Sequence, residues 1–362
     1  MYLITNREII KGAKGLKRFG KKPNSEGPNE LRLMRVERSS RSWKVTEVAD
    51  RLSTAAVRKL KQKFDLDIDE TQPWYGSLQV ACDLFEQARD SGKSILFFVH
   101  GYNNDVEDVL TAAREIESLY DVIVVPFTWP ANGGGKLSGA AAYLSDKADA
   151  RASATALNRA VGKIQFYHSL LTEKRKGELR RRADRKFPDN RQAADAWFSR
   201  LLEKECPIRL SLLCHSMGNY LFKYTLKTSD NVTSKLVFDN ICLVAADANN
   251  ERHREWVGQL DTRKRVYVVI NENDFALRAS RRKPGDEQKA RLGHYLRQLN
   301  SPNASYIDVT PAAGVDNEHS YFKGDAVEAN EALKGLFQGM FTGEAMEDGL
   351  VYHADRNFYR LS

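Results

Sequence analysis

The chain of 362 residues is 42% hydrophobic and carries a formal charge of +8, from 56 Lys and Arg against 48 Asp and Glu. That composition fits a globular chain long enough to bury a large core, as one big domain or two. It excludes a helix-spanning membrane protein, since no window approaches the roughly 18 apolar residues a crossing helix needs, and "MYLITNREII" has too short an apolar run for a cleaved leader.

The four cysteines, Cys82, Cys206, Cys214 and Cys242, are far apart and form no C-x-x-C pair. A reduced, cytoplasmic-type chain is expected.

From Tyr2 to Ala49 the pattern is strand-like but interrupted. "MYLITNRE" is followed by a loop rich in Gly, Lys, Pro, Asn and Ser to Glu30, and then "LRLMRVERS" and "WKVTEVA" alternate with period two. Residues 1–50 are therefore expected to form an N-terminal β region packed on a main domain of 51–362. Two helical patterns follow, Leu52 to Phe64 and Leu78 to Ala88.

"SILFFVH", Ser94 to His100, is a continuous apolar run of strand length, followed by helical spacing at Val106, Val109, Leu110, Ala113 and Ile116. "VIVVPFTW", "IRLSLLCHS", "ICLVAAD", "RVYVVINEND" and "ASYIDVT" repeat the strand signal, with a helix after Gly218 and a last amphipathic helix around Val327, Leu333, Leu336 and Phe337. Buried strands alternating with helices predict an α/β fold: a mainly parallel sheet with helices on both faces. Ligands bind such sheets at the carboxyl ends of the strands.

Residues 131–206 exceed what a crossover needs. They begin with "ANGGGK", continue in a helical stretch and end in "KRKGELRRRADRK", Lys174 to Lys186, with eight basic residues against Glu178 and Asp184. A lid-like insertion is the expectation. Its basic run reads as a solvated helix face or as a surface for an anionic partner, membrane surface or acidic substrate. No nucleic-acid motif accompanies it. Trp197 and Phe198 are expected as core residues.

The chemistry lies at the strand ends. A serine hydroxyl is a weak nucleophile until it is exposed on a sharp turn and given a base. Cys214-His215-Ser216-Met217-Gly218 has small residues two before and two after the serine, as a strained strand-to-helix turn requires. The competing reading of Ser216 is an ordinary helix N-cap.

"FFVHGYNN" ends an earlier strand, where the same architecture supplies one oxyanion-hole N–H, the second coming from the residue after the nucleophile. Tyr102 and Met217 are the expected backbone donors; the alternative for this stretch is a plain Asn-rich turn. Asp274 after "RVYVVI" and His319 after "ASYIDVT" follow in the order acid, then base. Asp247 at the end of "ICLVAAD" is the alternative acid, ahead of Glu272 and Asp316. Among the histidines, His215 adjoins the serine but points elsewhere, His294 falls in a helical "RLGHYLRQL", and His253 and His353 lack a strand end. No pair of histidines has metal-ligand spacing, so neither metal nor cofactor is expected.

"VHGYNN", "FTWP", Tyr143 to Asp146 as Y-L-x-D, "CHSMGN", "VAAD", "NDFAL" and "HSYF" resemble the signature stretches of a bacterial family of esterase- and lipase-like α/β-hydrolases, largely of unknown function. The resemblance covers roughly Ser94 to Phe322. It implies the α/β-hydrolase fold and a Ser216, Asp274, His319 triad. Cys214 departs from the Ala or Gly that more often opens the family's elbow. The expected activity is serine-dependent cleavage of an ester or thioester, with a small-molecule or lipid-like acyl substrate. The alternative is a non-catalytic interaction protein on the same scaffold.

Overall fold

The apolar runs become strands because each is long enough to cross a sheet and has no polar face to give to water. The computed structural model describes residues 1–27, 29–39, 42–131, 140–205, 208–228, 237–282 and 289–361. The chain divides into two compact units. One comprises Met1–Val48, Ser94–Gly162 and Leu210–Ser362, and the other Ala49–Lys93 and Lys163–Arg209.

The first unit is built on a large twisted sheet. Its strands are β1 (Tyr2–Thr5), β4 (Arg32–Arg38), β5 (Trp43–Glu47), β6 (Ile95–Val99), β7 (Ile123–Thr128), β8 (Leu210–His215), β9 (Asn240–Val244), β10 (Arg265–Ile270), β11 (Ala304–Asp308), β12 (Val351–His353) and β13 (Phe358–Arg360); β2 (Arg7–Ile9) and β3 (Phe19–Pro23) pair as a separate ribbon. The order across the sheet is β12-β13-β11-β10-β9-β8-β6-β7-β1-β4-β5.

Neighbours from β1 through β7, β6, β8, β9, β10 and β11 to β13 are parallel. The outer pairs β1–β4, β4–β5 and β12–β13 are antiparallel. Every residue of β6, β7, β8 and β9 is buried, as the mainly parallel sheet expected from the sequence demands. The N-terminal segment extends this same sheet through β1, whose Ile4 and Thr5 pair with Phe127 and Thr128 of β7.

Helices cover the strands. Among them, α3 (Val106–Tyr120) starts from a capping box in which Asp105 and Asp108 each accept the other's backbone N–H at 2.9 Å. Its Ala113, Ile116 and Tyr120 join Leu333, Leu336, Phe337, Met340 and Phe341 of the helix Glu331–Phe341 in a core with Leu96, Phe98, Leu213, Val244, Tyr267 and Ile307 of the sheet. A smaller core of Leu3, Met34, Val36, Trp43, Val106 and Leu110 joins the N-terminal strands to α3.

The last helical pattern is interrupted. Asp325–Glu328 forms one turn, and Asn330 then caps Glu331–Phe341 by accepting the Leu333 N–H at 3.0 Å. His294 lies in a short 3-10 turn, Leu292–His294, rather than in the helix expected there. The glycine at its centre and the buried path of the segment override the apolar spacing.

The second unit contains α1 (Thr54–Phe64), α2 (Gly76–Ser91), the part of α5 (Ala154–Lys186) from residue 163 onward, and α6 (Arg191–Glu205). Val57, Leu60, Leu66, Ile68, Leu78, Cys82 and Tyr167 form its core. The basic run Lys174 to Lys186 is the last part of α5 and is laced with acids: Arg175 and Arg182 both reach Glu205 at 2.7 Å, and Arg180 pairs with Asp184 and Asp195. Trp197 and Phe198 are half-buried rather than core. Their rings carry cations, Lys186 over Trp197 at 3.4 Å and Arg180 over Phe198 at 5.6 Å, so the apolar faces shelter charged side chains instead of packing inward. Cys206 and the glycines of "ANGGGK" lie outside the described residues.

Candidate active site

The chain turns from β8 into α7 (Met217–Lys227) at a single residue, Ser216, whose backbone sits at φ 54°, ψ −123°. A side chain is strained in that region and persists only where its surroundings fix it. Three groups do so: Ser216 donates its N–H to Val244 O at 3.1 Å, and its carbonyl accepts from Asp247 N at 3.1 Å and Asn219 N at 3.0 Å. The Asn219 side-chain amide ties the same turn together by donating to the carbonyls of Cys214, Ser216 and Val244 at 2.9, 3.2 and 3.2 Å.

The Ser216 side chain makes no capping hydrogen bond to α7. Its hydroxyl is therefore not used as the ordinary N-cap that the sequence left open. Space beneath the turn is as tight as its small residues imply: a Cβ on Gly218 would lie 2.5 Å from Val99 O. Cys214 is completely buried, and its burial pushes the thiol well above the ordinary cysteine range.

The turn after β6 faces the serine. A Cβ on Gly101 would lie 2.8 Å from Ser216 Cβ and 3.3 Å from its Oγ, so only glycine lets this loop come so close. His100 fixes it. Trp129 N–H donates to His100 Nε2 at 3.2 Å, which leaves Nδ1 protonated to donate to Gly101 O at 2.8 Å, and the two rings stack. Burial holds His100 neutral, its pKa pushed down to about 3. Tyr102 follows Gly101 on this turn, and Met217 opens α7, where a first-turn N–H has no acceptor within the helix.

Asp274 and His319 meet directly. His319 Nδ1 lies 2.7 Å from Asp274 Oδ2, with the carboxylate fully buried and the imidazole partly open. Asp274 Oδ1 accepts from Ala276 N and Leu277 N, both at 2.9 Å, as the cap of the helix Phe275–Ser280. With Nδ1–H given to Asp274, Nε2 keeps its lone pair.

The loop bearing His319 is pinned from several directions. Asn271 Nδ2 donates to Asp316 O at 3.2 Å and Glu318 O at 3.0 Å, and the Tyr321 hydroxyl bridges Ala245 N and Val269 O. The His215 ring lies 4.7 Å from that of His319, and its Nε2 is 3.1 Å from His319 O. Burial first, then the neighbouring His319, lowers the His215 pKa far below the usual histidine value, so it is a neutral support under the second imidazole.

His215 thus links Ser216 to His319. Among the described residues no hydrogen bond joins the Ser216 hydroxyl to the His319 ring. Such bonds commonly form only when substrate closes the site.

Asp247 occupies a different network. It accepts from Tyr143 Oη at 2.9 Å and Ser280 Oγ at 2.6 Å and pairs with buried Arg291 Nε at 3.1 Å. No hydrogen bond connects it to His319 among the described residues. Glu272 accepts from Leu296 N at 3.3 Å, and Asp316 is exposed. Of the other histidines, His253 is buried against Asn250 O and Tyr306, and His353 lies in β12. Among the described residues no group of three or more His, Cys, Asp or Glu could hold a metal ion, and no helix is long and apolar enough to cross a membrane.

Sequence reasoning missed Arg7, Arg291 and Ser280 altogether, and it quoted Tyr143 and Asp146 without giving them a role. Tyr143 and Asp146 sit four-residue-turn neighbours on α4 (Ala140–Ala152), where the Tyr143 ring meets Tyr102 edge-on at 5.7 Å and Asp146 Oδ2 accepts from Asn103 N at 3.2 Å. Their i,i+3 spacing, which puts both on one helix face, was the available signal.

Residues 80–170 and 181–326 match the model of a family described as alpha/beta hydrolase of unknown function (DUF900). Neither the curated proteins nor the solved structures compared with the chain gave a match.

Proposed function

From the premise that the chain belongs to this α/β-hydrolase family of unknown function, we propose that it is a serine hydrolase that cleaves an ester or thioester through an acyl-enzyme. The observation that carries the reading is Ser216 itself, held at φ 54°, ψ −123° with its hydroxyl unused as a cap. Strain of that kind at a strand end, beside a glycine turn, adds nothing to stability and is the backbone geometry of a nucleophile turn.

In this reading Ser216 Oγ attacks the substrate carbonyl while His319 Nε2 takes its proton. The resulting imidazolium is balanced by Asp274, which also holds the ring orientation. The N–H groups of Tyr102 and Met217 stabilise the oxyanion. His319 returns the proton to the departing alcohol or thiol, and water then releases the acid by the same steps in reverse roles. A small or lipid-like acyl group is the substrate class proposed.

A fluorophosphonate probe tests the proposal, since it reacts with an activated serine and mimics the tetrahedral species. One adduct per wild-type chain on Ser216, absent from Ser216→Ala and strongly slowed in His319→Ala, is expected. An unlabelled wild type, or equal labelling of Ser216→Ala, refutes the reading.

A further inference from the structure

The turn that faces Ser216 is gripped by two buried charged side chains from distant parts of the chain. Arg7, at the start of β2, is 2% exposed. Its guanidinium donates to Asn104 O at 3.0 Å and Ala131 O at 3.2 Å through Nη2, to Thr128 Oγ1 at 3.0 Å through Nε, and to Gly20 O at 3.4 Å through Nη1. All four acceptors are neutral. Burying a cation against neutral acceptors carries a desolvation penalty, and burial accordingly pushes the Arg7 pKa down to about 10, with Asp105, Asp146 and Asp149 opposing the shift.

One residue earlier, fully buried Asp146 accepts the Asn103 N–H at 3.2 Å. Between the two grips the chain is bent: Asn103 has φ 56°, and Asn104 Nδ2 folds back to Tyr102 O at 2.6 Å. One charged group therefore holds a carbonyl of the turn and the other holds an N–H. Both act within two residues of Tyr102, whose predecessor Gly101 touches Ser216.

We infer that Arg7 and Asp146 are positioning residues that brace the turn 101–104 at two consecutive residues, so that the N-terminal ribbon is part of the hydrolytic apparatus. Neither touches the reacting atoms. Together they set where the Tyr102 N–H stands relative to the Ser216 hydroxyl, and a misplacement of the order of 1 Å at such a donor lowers turnover about 100-fold. The inference rests on the serine-hydrolase reading above.

The test compares Arg7→Met, Asp146→Ala and Asp146→Asn in the full chain, with a nitrophenyl ester as substrate and the fluorophosphonate as label. Arg7→Met and Asp146→Ala are expected to lose about 10- to 100-fold in kcat with KM little changed. Added methylguanidinium should restore part of the loss in Arg7→Met, which a general weakening of the fold does not produce. Asp146→Asn keeps an acceptor oxygen and should retain most activity.

Hydrogen exchange of the peptide containing residues 101–104 is read in parallel, and it should speed up in Arg7→Met and Asp146→Ala. If Arg7→Met does not fold, the Asp146 pair decides alone. Folded variants with wild-type exchange and wild-type labelling rates overturn the brace. Failure of the wild type to label sinks the hydrolase reading instead, and the exchange data then still decide whether the brace exists.

Discussion

Replacing Asp274 by Asn separates the two tasks of one carboxylate. Oδ2 orients His319 at 2.7 Å, while Oδ1 caps the helix Phe275–Ser280 through two bonds of 2.9 Å. Asn is as good an N-cap as Asp, so the capping bonds survive and stability should change by less than about 0.5 kcal/mol. The amide NH₂, however, meets Nδ1–H donor to donor. The ring must flip its proton to Nε2 or turn away, and on the proposed mechanism the general base is lost. Loss of the same orientation in a triad lowers kcat about 10⁴-fold, which is roughly 5.5 kcal/mol of barrier.

Asp274→Ala adds the loss of the cap, about 1 to 2 kcal/mol of stability. Asp247→Asn should show the converse pattern. It breaks a buried ion pair with Arg291 at 3.1 Å and should destabilise by about 3 kcal/mol, with a smaller effect on turnover. Steady-state hydrolysis of a nitrophenyl ester gives kcat, and urea unfolding gives stability. An Asp274→Asn enzyme within tenfold of wild type, or a larger kcat loss at Asp247→Asn, would refute the assignment of the acid.

Gly101→Ala places a methyl 2.8 Å from Ser216 Cβ and should abolish fluorophosphonate labelling together with a loss of about 1 to 3 kcal/mol of stability. Gly218→Ala meets main-chain oxygen at 2.5 Å and should also destabilise by about 1 to 3 kcal/mol, seen in urea unfolding. His100 and His215 are held neutral by burial, His100 with its pKa down to about 3. The unfolded chain binds protons there first, so stability is full above about pH 6.5 and falls below it by about 1.4 kcal/mol per pH unit for each ring. His100→Gln should flatten that slope. Burial also raises the thiols of Cys82, Cys214 and Cys242, Cys82 to about 12, so mass spectrometry should find all three unmodified by iodoacetamide until the protein is unfolded.

What could be read in advance follows the range of the forces involved. "ILFFV" and "LSLLCH" carry their own evidence of burial in every residue, so their strands were legible from local pattern alone, while the serine after the second stayed open between a helix cap and a nucleophile on that pattern. The meeting of Asp274 with His319 was an expectation from chain order and strand ends, and their side chains are hydrogen-bonded although 45 residues separate the pair. Arg7 was not. Its partners lie 13 to 124 residues away, and an arginine in a short strand looks solvent-facing until the sheet brings carbonyls around it. His294 misled for the opposite reason, since apolar spacing suggested a helix where packing imposed a 3-10 turn.

Among the described residues the strand that delivers Ser216 is the sixth of the sheet's eleven, with five on either side. Edge strands such as β12 and β5 can fray with few hydrogen bonds lost, but β8 can open only when its neighbours on both sides let go. Ser216, the proposed nucleophile, is thus mounted on the last part of the sheet to yield. Heat or denaturant should extinguish labelling in step with global melting, and limited proteolysis at the β12 rim, away from the N-terminal strands, should leave a fragment that still reacts.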